Sequence, residues 1–492
     1  MKKKHITLIN IASNMLLQLS TIICGFILPK LILNYFGSEV NGLVSSINQF
    51  LNYINIIEGG LGGIVSAALY KPLYNNDIKK INSIINTTNK LYKKVALLFL
   101  LYSIILSLVY PLMIKSSFSY SYVFSLILIL SITVFVYYNF SVSYKLLLNA
   151  DRRIYIVSLT QTGITILNTI LFVILIKYYQ NIHFLKLITG LVYIIQPIFF
   201  NYYVKKKYFI NKKEETSLDI IKNRWIGFGI NIASFIHDNT DMIVLSLMTD
   251  LKIVSIYSVY RLVTLGIKKM IQAISSAIVP SIGRIYAANN KKELKKKFSD
   301  YEIIVIISSS ICFSIALLLI TPFVMFYTKN ITDTNYNNEL FGFLLVLSEY
   351  LFCIREPYIN ITTIANKFKD IKKYAYNEAI LNILLSILFV KLYGLIGVVL
   401  GTSISIIYRF ICHIIYLKHN IINIKASEIL KKFLVLICPS IFLIVLLYNF
   451  FYISSFNLLS LLLYGITYLI IFVIVYYILL KLFYKNTKIM NK

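Results

Sequence analysis

Apolar runs of about 18 to 25 residues, separated by short Lys-rich connections, dominate this chain. In hydrocarbon every backbone polar group must be satisfied within its own segment, and a helix of about 20 apolar residues does this while crossing a bilayer. About fourteen such runs fit, near residues 8–31, 42–68, 95–114, 122–142, 155–176, 187–204, 225–247, 254–280, 303–323, 341–365, 375–390, 394–417, 433–450 and 457–480. The chain is 58% hydrophobic with a mean hydropathy of +0.76, a balance that water-soluble domains rarely carry. An all-α, multi-pass membrane protein is therefore expected. Many of the 39 tyrosines sit at run ends, where an aromatic ring with a polar tip anchors a helix at the interface.

The net charge of +29 raises the question of a nucleic-acid partner. The basic residues lie between the apolar runs and form no nucleic-acid-binding motif, which excludes one. Their placement fits topology instead. With the N-terminus in the cytoplasm, about 37 of the 49 Lys and Arg fall in cytoplasmic segments. An even span number then puts both termini on that side, in a bacterial cytoplasmic membrane. The Lys-rich start before Leu8 reads as a retained first helix, since no small-residue cleavage site follows it. Cys24, Cys312, Cys353, Cys412 and Cys438 all fall within expected spans without CxxC or Cys/His spacing, so neither a metal nor another cofactor is expected. No connection is long enough to fold as a catalytic domain. Function is expected to reside in the membrane, as transport rather than catalysis.

A shift of about 214 residues lays the start of span 2 and its loop on span 8 and its loop, so that Asn75 and Asn76 fall on Asn289 and Asn290. The longest basic connection follows span 6. The expected organisation is an N-terminal lobe over 1–204, a cytoplasmic linker over 205–224, a C-terminal lobe over 225–417, and two additional spans within 433–480.

Several stretches resemble a known family. Phe36-Gly37-Ser38-Glu39-Val40-Asn41-Gly42, the cluster Glu58-Gly59-Gly60-Leu61-Gly62-Gly63, and Leu69-Tyr70-Lys71-Pro72-Leu73 with Asp77 look like the first-lobe signature of Wzx-like polysaccharide flippases. These belong to the multidrug/oligosaccharidyl-lipid/polysaccharide exporter superfamily. Asn239-Thr240-Asp241 and Ile256-Tyr257-Ser258-Val259-Tyr260-Arg261 are similar to its passage from span 7 to span 8. The resemblance implies two six-helix lobes in a V around a central cavity lined by spans 1, 2, 7 and 8. It further implies alternating access and an undecaprenyl-diphosphate-linked oligosaccharide as substrate. Membrane lipids, a polymerase and other polysaccharide assembly proteins are the partners to expect.

Helical periodicity places polar residues on single faces. Span 1 carries Asn14, Gln18, Thr21 and Gly25; span 2 carries Ser45, Asn48, Asn52, Asn55 and Gly59. Such stripes serve either a cavity or interhelical hydrogen bonds. Span 7 carries Asn231, Ser234, Asp238 and Asp241, and span 8 carries Arg261, Lys268, Gln272 and Ser275. Arg261 and Lys268 lie roughly 10 Å apart along the helix, comparable to a diphosphate with its first sugar. Lys269, displaced by about 80° from Arg261, faces a cavity less squarely. Asn48, Asn52, Asn55, Arg261, Lys268, Lys269 and Arg355 are the candidate substrate contacts. Asp238, Asp241 and Glu58 are the candidate coupling carboxylates. The competing reading is internal pairing, Asp241 with Arg261, Asp238 with Lys268, and Arg355 with Glu349 or Glu356. Arg409 and Glu378 lie close enough to span ends to snorkel. Tyr257 and Tyr260 are available to stack on sugars if they face the cavity, and His237 and Trp225 have ordinary packing explanations.

Two other functions compete. A small-molecule or multidrug exporter of the same superfamily would have a more acidic or aromatic cavity than this cationic stripe. A membrane glycosyltransferase or polysaccharide polymerase would carry a substantial outer loop with catalytic residues, and none is present.

Overall fold

A computed structural model describes residues 3–211, 235, 239–365, 367–422, 426–450 and 457–483. Among them the regular elements are all helices, joined by short turns, with no strand. The first helix, α1 (Lys3–Leu51), covers expected span 1 and the first part of span 2, with a kink between them where Gly37 takes φ 79° and ψ 180°. Only glycine adopts that geometry without a Cβ clash, so the chain turns there without a loop. A short 3-10 turn at Asn52–Ile54 leads into α2 (Asn55–Asn75). Then follow α3 (Ile78–Met113), α4 (Tyr120–Phe140), α5 (Val142–Ala150), α6 (Ile154–Leu175), α7 (Ile182–Leu191) and α8 (Ile195–Lys207). The described part of α9 covers 239–248. Beyond it come α10 (Leu251–Ala287), α11 (Lys291–Tyr327), α12 (Glu339–Ile354), α13 (Glu356–Ile364), α14 (Phe368–Tyr393), α15 (Leu395–Asn420), α16 (Ala426–Phe450) and α17 (Leu458–Phe483).

Among the described residues, eleven helices are long and apolar enough to cross a membrane. Three features account for the difference from fourteen. The candidate over Leu8–Ile54 joins span 1 to the first part of span 2, whose remainder lies on α2. Most of span 7, including Trp225, Asn231, Ser234, His237 and Asp238, lies outside the described residues. Span 10 is split at Arg355 into two helices of 16 and 9 residues. Pro357 causes that split, because it lacks the N–H that a continuous helix would give to the Cys353 carbonyl.

The chain divides into two compact units, one formed by Met1–Phe235 with Thr249–Ser255 and the other by Ile236–Met248 with Ile256–Lys492. In the first, α6 packs along α1 and α4 along α3, while α2 lies against α3 and α5. In the second, α14 and α15 form a close antiparallel hairpin, α12 lies between α11 and α15, and α16 and α17 pack on α11. The hairpin turns at Gly394 (φ 54°). A Cβ at Gly397 would fall 2.0 Å from the Phe389 carbonyl oxygen, and one at Gly401 2.6 Å from the Ser386 nitrogen. Two glycines four apart thus let the backbones of α14 and α15 touch.

The internal repeat shows locally, one residue out of the expected register. Asn76 (φ 55°) and Asn289 (φ 53°) are both left-handed. Each precedes a helix cap: the Asp77 carboxylate accepts from Lys80 N (3.0 Å), and Asn290 Oδ1 accepts from Glu293 N (3.1 Å). The offset is therefore 213, because capping geometry aligns Asp77 with Asn290.

Candidate functional site

The second unit holds a continuous set of buried polar groups. On α10, Tyr257, Arg261 and Lys268 share one face at spacings of four and seven, and all three are buried. Across from them stand Asp241 on α9, Ser348 and Glu349 on α12, and Thr402 on α15, which together enclose a cleft. Its free volume is about 10 Å³, which holds about one water molecule.

Asp241 accepts two hydrogen bonds, from the Tyr257 hydroxyl at 3.0 Å and from Thr402 Oγ1 at 2.6 Å. Asn382 Nδ2 on α14 donates in turn to Thr402 Oγ1 at 2.8 Å. Arg261 Nη1 donates to the Tyr257 hydroxyl at 3.4 Å and its guanidinium lies 5.7 Å from that ring's centre. Arg261 and Asp241 are thus linked through Tyr257, not in the direct contact expected from their similar depth. Lys268 Nζ lies 3.2 Å from Glu349 Oε2. It also sits 3.5 Å from the Phe352 ring centre, which Arg355 approaches to 4.4 Å. A buried cation over an aromatic face gains electrostatic attraction as well as packing.

Arg355 corrects the expected pairing. It bonds neither Glu349 nor Glu356 but Glu378 on α14, which also accepts from Arg409 Nη1 at 2.5 Å. The helix break at Pro357 leaves Arg355 at a junction, aimed away from its own helix and toward α14. Glu378 and Arg409 were expected to snorkel at span ends; instead they are 0% and 3% exposed. Both helices run on past their expected limits, so these residues lie well inside. Arg409 Nε reaches His413 Nε2 at 3.4 Å. Among the buried side-chain atoms, Arg355 Nε, Asn382 Oδ1 and Ser386 Oγ make no hydrogen bond.

The other candidates lie elsewhere. Lys269 is exposed and does not line the cleft. Asn48, Asn52 and Asn55 are exposed on the first unit, where Asn55 Oδ1 accepts from the Tyr138 hydroxyl at 2.8 Å. Glu58 is on α2, its side chain outside the described residues. Tyr257 and Tyr260 are buried rather than open for sugar stacking: Tyr257 bonds Asp241, and Tyr260 donates to the Tyr336 carbonyl at 2.9 Å.

Thr402, Asn382 and the role of Glu378 went unread in the sequence. The periodicity test that exposed the α10 face finds Glu378 and Asn382, which recur with Ser386 every four residues on α14. Among the described residues, no group of three or more His, Cys, Asp or Glu is placed to hold a metal ion.

No protein-family model matches the chain, and no curated protein matches it. Its three-dimensional structure is similar to that of the lipid II flippase MurJ in an inward closed conformation. The TM-score is 0.73 at 18% identity, covering 96% of this chain and 99% of the other. An inward-facing multidrug resistance MATE family transporter of the MOP superfamily matches with a TM-score of 0.67 at 14% identity, covering 81% and 94%. The eukaryotic MATE transporter AtDTX14 matches with a TM-score of 0.58 at 12% identity, covering 83% and 94%. The chain therefore has the all-helical, multi-pass membrane fold of these proteins.

Proposed function

We propose that this protein is a Wzx-like flippase that carries an undecaprenyl-diphosphate-linked oligosaccharide from the cytoplasmic to the outer leaflet by alternating access, for capsule, O-antigen or exopolysaccharide assembly. The observation that carries the reading is the pair of buried cations on one face of α10, Arg261 and Lys268, lining one cleft. A diphosphate carries the opposite charge, and with its first sugar it spans a length comparable to the separation of the two cations along the helix. The fold likeness to a lipid II flippase supports a lipid-linked substrate, and that flippase covers 96% of the chain against 81% for the first MATE transporter.

The cleft suggests how binding and coupling are joined. Arg261 and Lys268 contribute two positive charges, and Asp241 and Glu349 two negative ones. Among the described lining residues these charges balance, and the free volume is too small for a phosphate. A diphosphate that takes both cations must open the cleft and strip two carboxylates of their partners. Unpaired carboxylates in a poorly solvated site are costly, so they take up protons or cations, and that exchange ties substrate binding to a change of state. Asp241, held by Thr402 and Tyr257, is the coupling carboxylate in this scheme. Both termini lie in the cytoplasm of a bacterial cell, and a polymerase receives the product.

The test is flipping of a lipid-linked oligosaccharide in proteoliposomes, with protein level measured alongside. Arg261→Ala and Lys268→Ala each abolish flipping at normal abundance, whereas Lys269→Ala is milder. Normal flipping by Lys268→Ala removes that lysine from the site. The MATE likeness supports a second reading, export of a small molecule. Efflux of cationic dyes without lipid flipping would favour it.

A further inference from the structure

Away from the Asp241 cleft, the second unit holds a cavity of about 530 Å³ at the start of α11, within the usual range of about 300–1,000 Å³ for ligand sites. Lys291, Lys292, Lys295 and Lys296 line it, with Ile421 and Ile422 just beyond the end of α15. The stretch Lys291-Lys292-Glu293-Leu294-Lys295-Lys296-Lys297 folds this way because Leu294 and Phe298 are buried, at 4% and 0% exposure. The lysines are left around the outer side. Asn290 fixes the helix start, its Oδ1 accepting from Glu293 N and its Nδ2 donating to Glu293 Oε2, both at 3.1 Å.

The charges around this cavity do not cancel. Lys295 pairs with Glu428 on α16 at 3.1 Å, and Lys297 with Asp300 at 3.9 Å. Asp300 is the single acid on the lining, against four lysines. Lys291, Lys292 and Lys296 pair with no carboxylate among the described residues. The N-terminal end of the α11 dipole adds partial positive charge. The floor is different in kind: Ile422 is 4% exposed and Ile421 half-buried. Three cations above an apolar floor, at the ends of apolar helices, match a phosphodiester attached to acyl chains. A soluble phosphate has no use for the isoleucines.

We infer that this cavity binds the headgroup of an anionic phospholipid, its phosphate held by Lys291, Lys292 and Lys296 and its glycerol resting on Ile421 and Ile422. Because the lysines stand on α11 and the isoleucines follow α15, an occupied site bridges the start of α11 and the end of α15. The inference is independent of what the protein transports.

The experiment titrates dioctanoyl-phosphatidylglycerol into the purified full-length chain in neutral detergent, with binding read by native mass spectrometry. Dioctanoyl-phosphatidylcholine and inorganic phosphate are titrated in parallel. Phosphatidylglycerol binds at least about 10-fold more tightly than phosphatidylcholine, and inorganic phosphate does not displace it. Each lysine near such a charge contributes about a five-fold factor, so K291Q/K292Q/K296Q weakens binding by up to about 100-fold. K205Q/K206Q/K207Q removes equal charge from the end of α8 and changes it less than about three-fold. Equal binding of the two lipids, displacement by inorganic phosphate, or equal loss in both triple variants overturns the inference. The lipid comparison uses the unaltered protein, so it decides even if a variant misfolds.

Discussion

Glu378 holds two buried cations together, which makes the loss of its charge costly. Its carboxylate is fully buried between the guanidinium groups of Arg355 and Arg409, themselves 2% and 3% exposed. At a charge separation of about 4 Å and an effective dielectric of about 20, each attraction amounts to about 4 kcal/mol. Desolvation of three ions offsets much of this, so the triad as a whole adds little net stability. Removing only the carboxylate is different. Glu378→Gln keeps the shape but leaves two buried cations facing each other, a loss of about 3–5 kcal/mol. That is two to three and a half orders of magnitude in the ratio of folded to unfolded protein. The expected result is strongly reduced membrane abundance and a lowered melting temperature, followed by size-exclusion chromatography after stepwise heating in detergent. Replacing all three ions together (Arg355→Met, Glu378→Leu, Arg409→Met) removes the imbalance and restores most of the abundance. Glu378→Gln at normal abundance with an unchanged melting temperature would refute the triad's role.

Three further outcomes follow from separate features. Gly401→Ala sets a Cβ 2.6 Å from backbone that cannot move aside, and is expected to destabilise by about 1–3 kcal/mol in the same heating assay; Gly163→Ala, inside α6 with nothing within 4 Å, does not destabilise. A cysteine at Lys292 in a cysteine-free background stays unlabelled by an impermeant thiol reagent on intact cells, and one at Thr332 is labelled; the reverse pattern inverts the topology. Asp241→Asn is expected to insert normally yet lose gradient-dependent transport in proteoliposomes, and Thr402→Val, which removes the 2.6 Å hydrogen bond to Asp241, to lose it in part. Full ion dependence in Asp241→Asn removes that residue from coupling.

What the sequence made legible is what one helix decides by itself. Periodicity puts Arg261 and Lys268 on a shared face of α10 and turns Lys269 off it, and the structure has Lys268 in the cleft and Lys269 exposed. Partners were harder, because they sit on other helices. Depth alone offers Lys268 no sight of α12, which brings Glu349 to it at 3.2 Å; its expected partner Asp238 lies outside the described residues. Arg355 was matched with acids near it in sequence, and the break at Pro357 turned it toward α14. Glu378 and Arg409 were placed at span ends because hydropathy windows shrink at charged residues. In fact α14 begins at Phe368 and α15 runs to Asn420, so each lies about three turns inside its helix. Their pairing was nevertheless written in the sequence. Glu378 precedes Gly394 by 16 residues and Arg409 follows it by 15. In an antiparallel hairpin turning at Gly394, residues equally far from the turn lie at one level, and a one-residue difference is about 1.5 Å. Opposite charges at matched distances from such a glycine, in segments too apolar to tolerate either alone, point to each other before any coordinates exist.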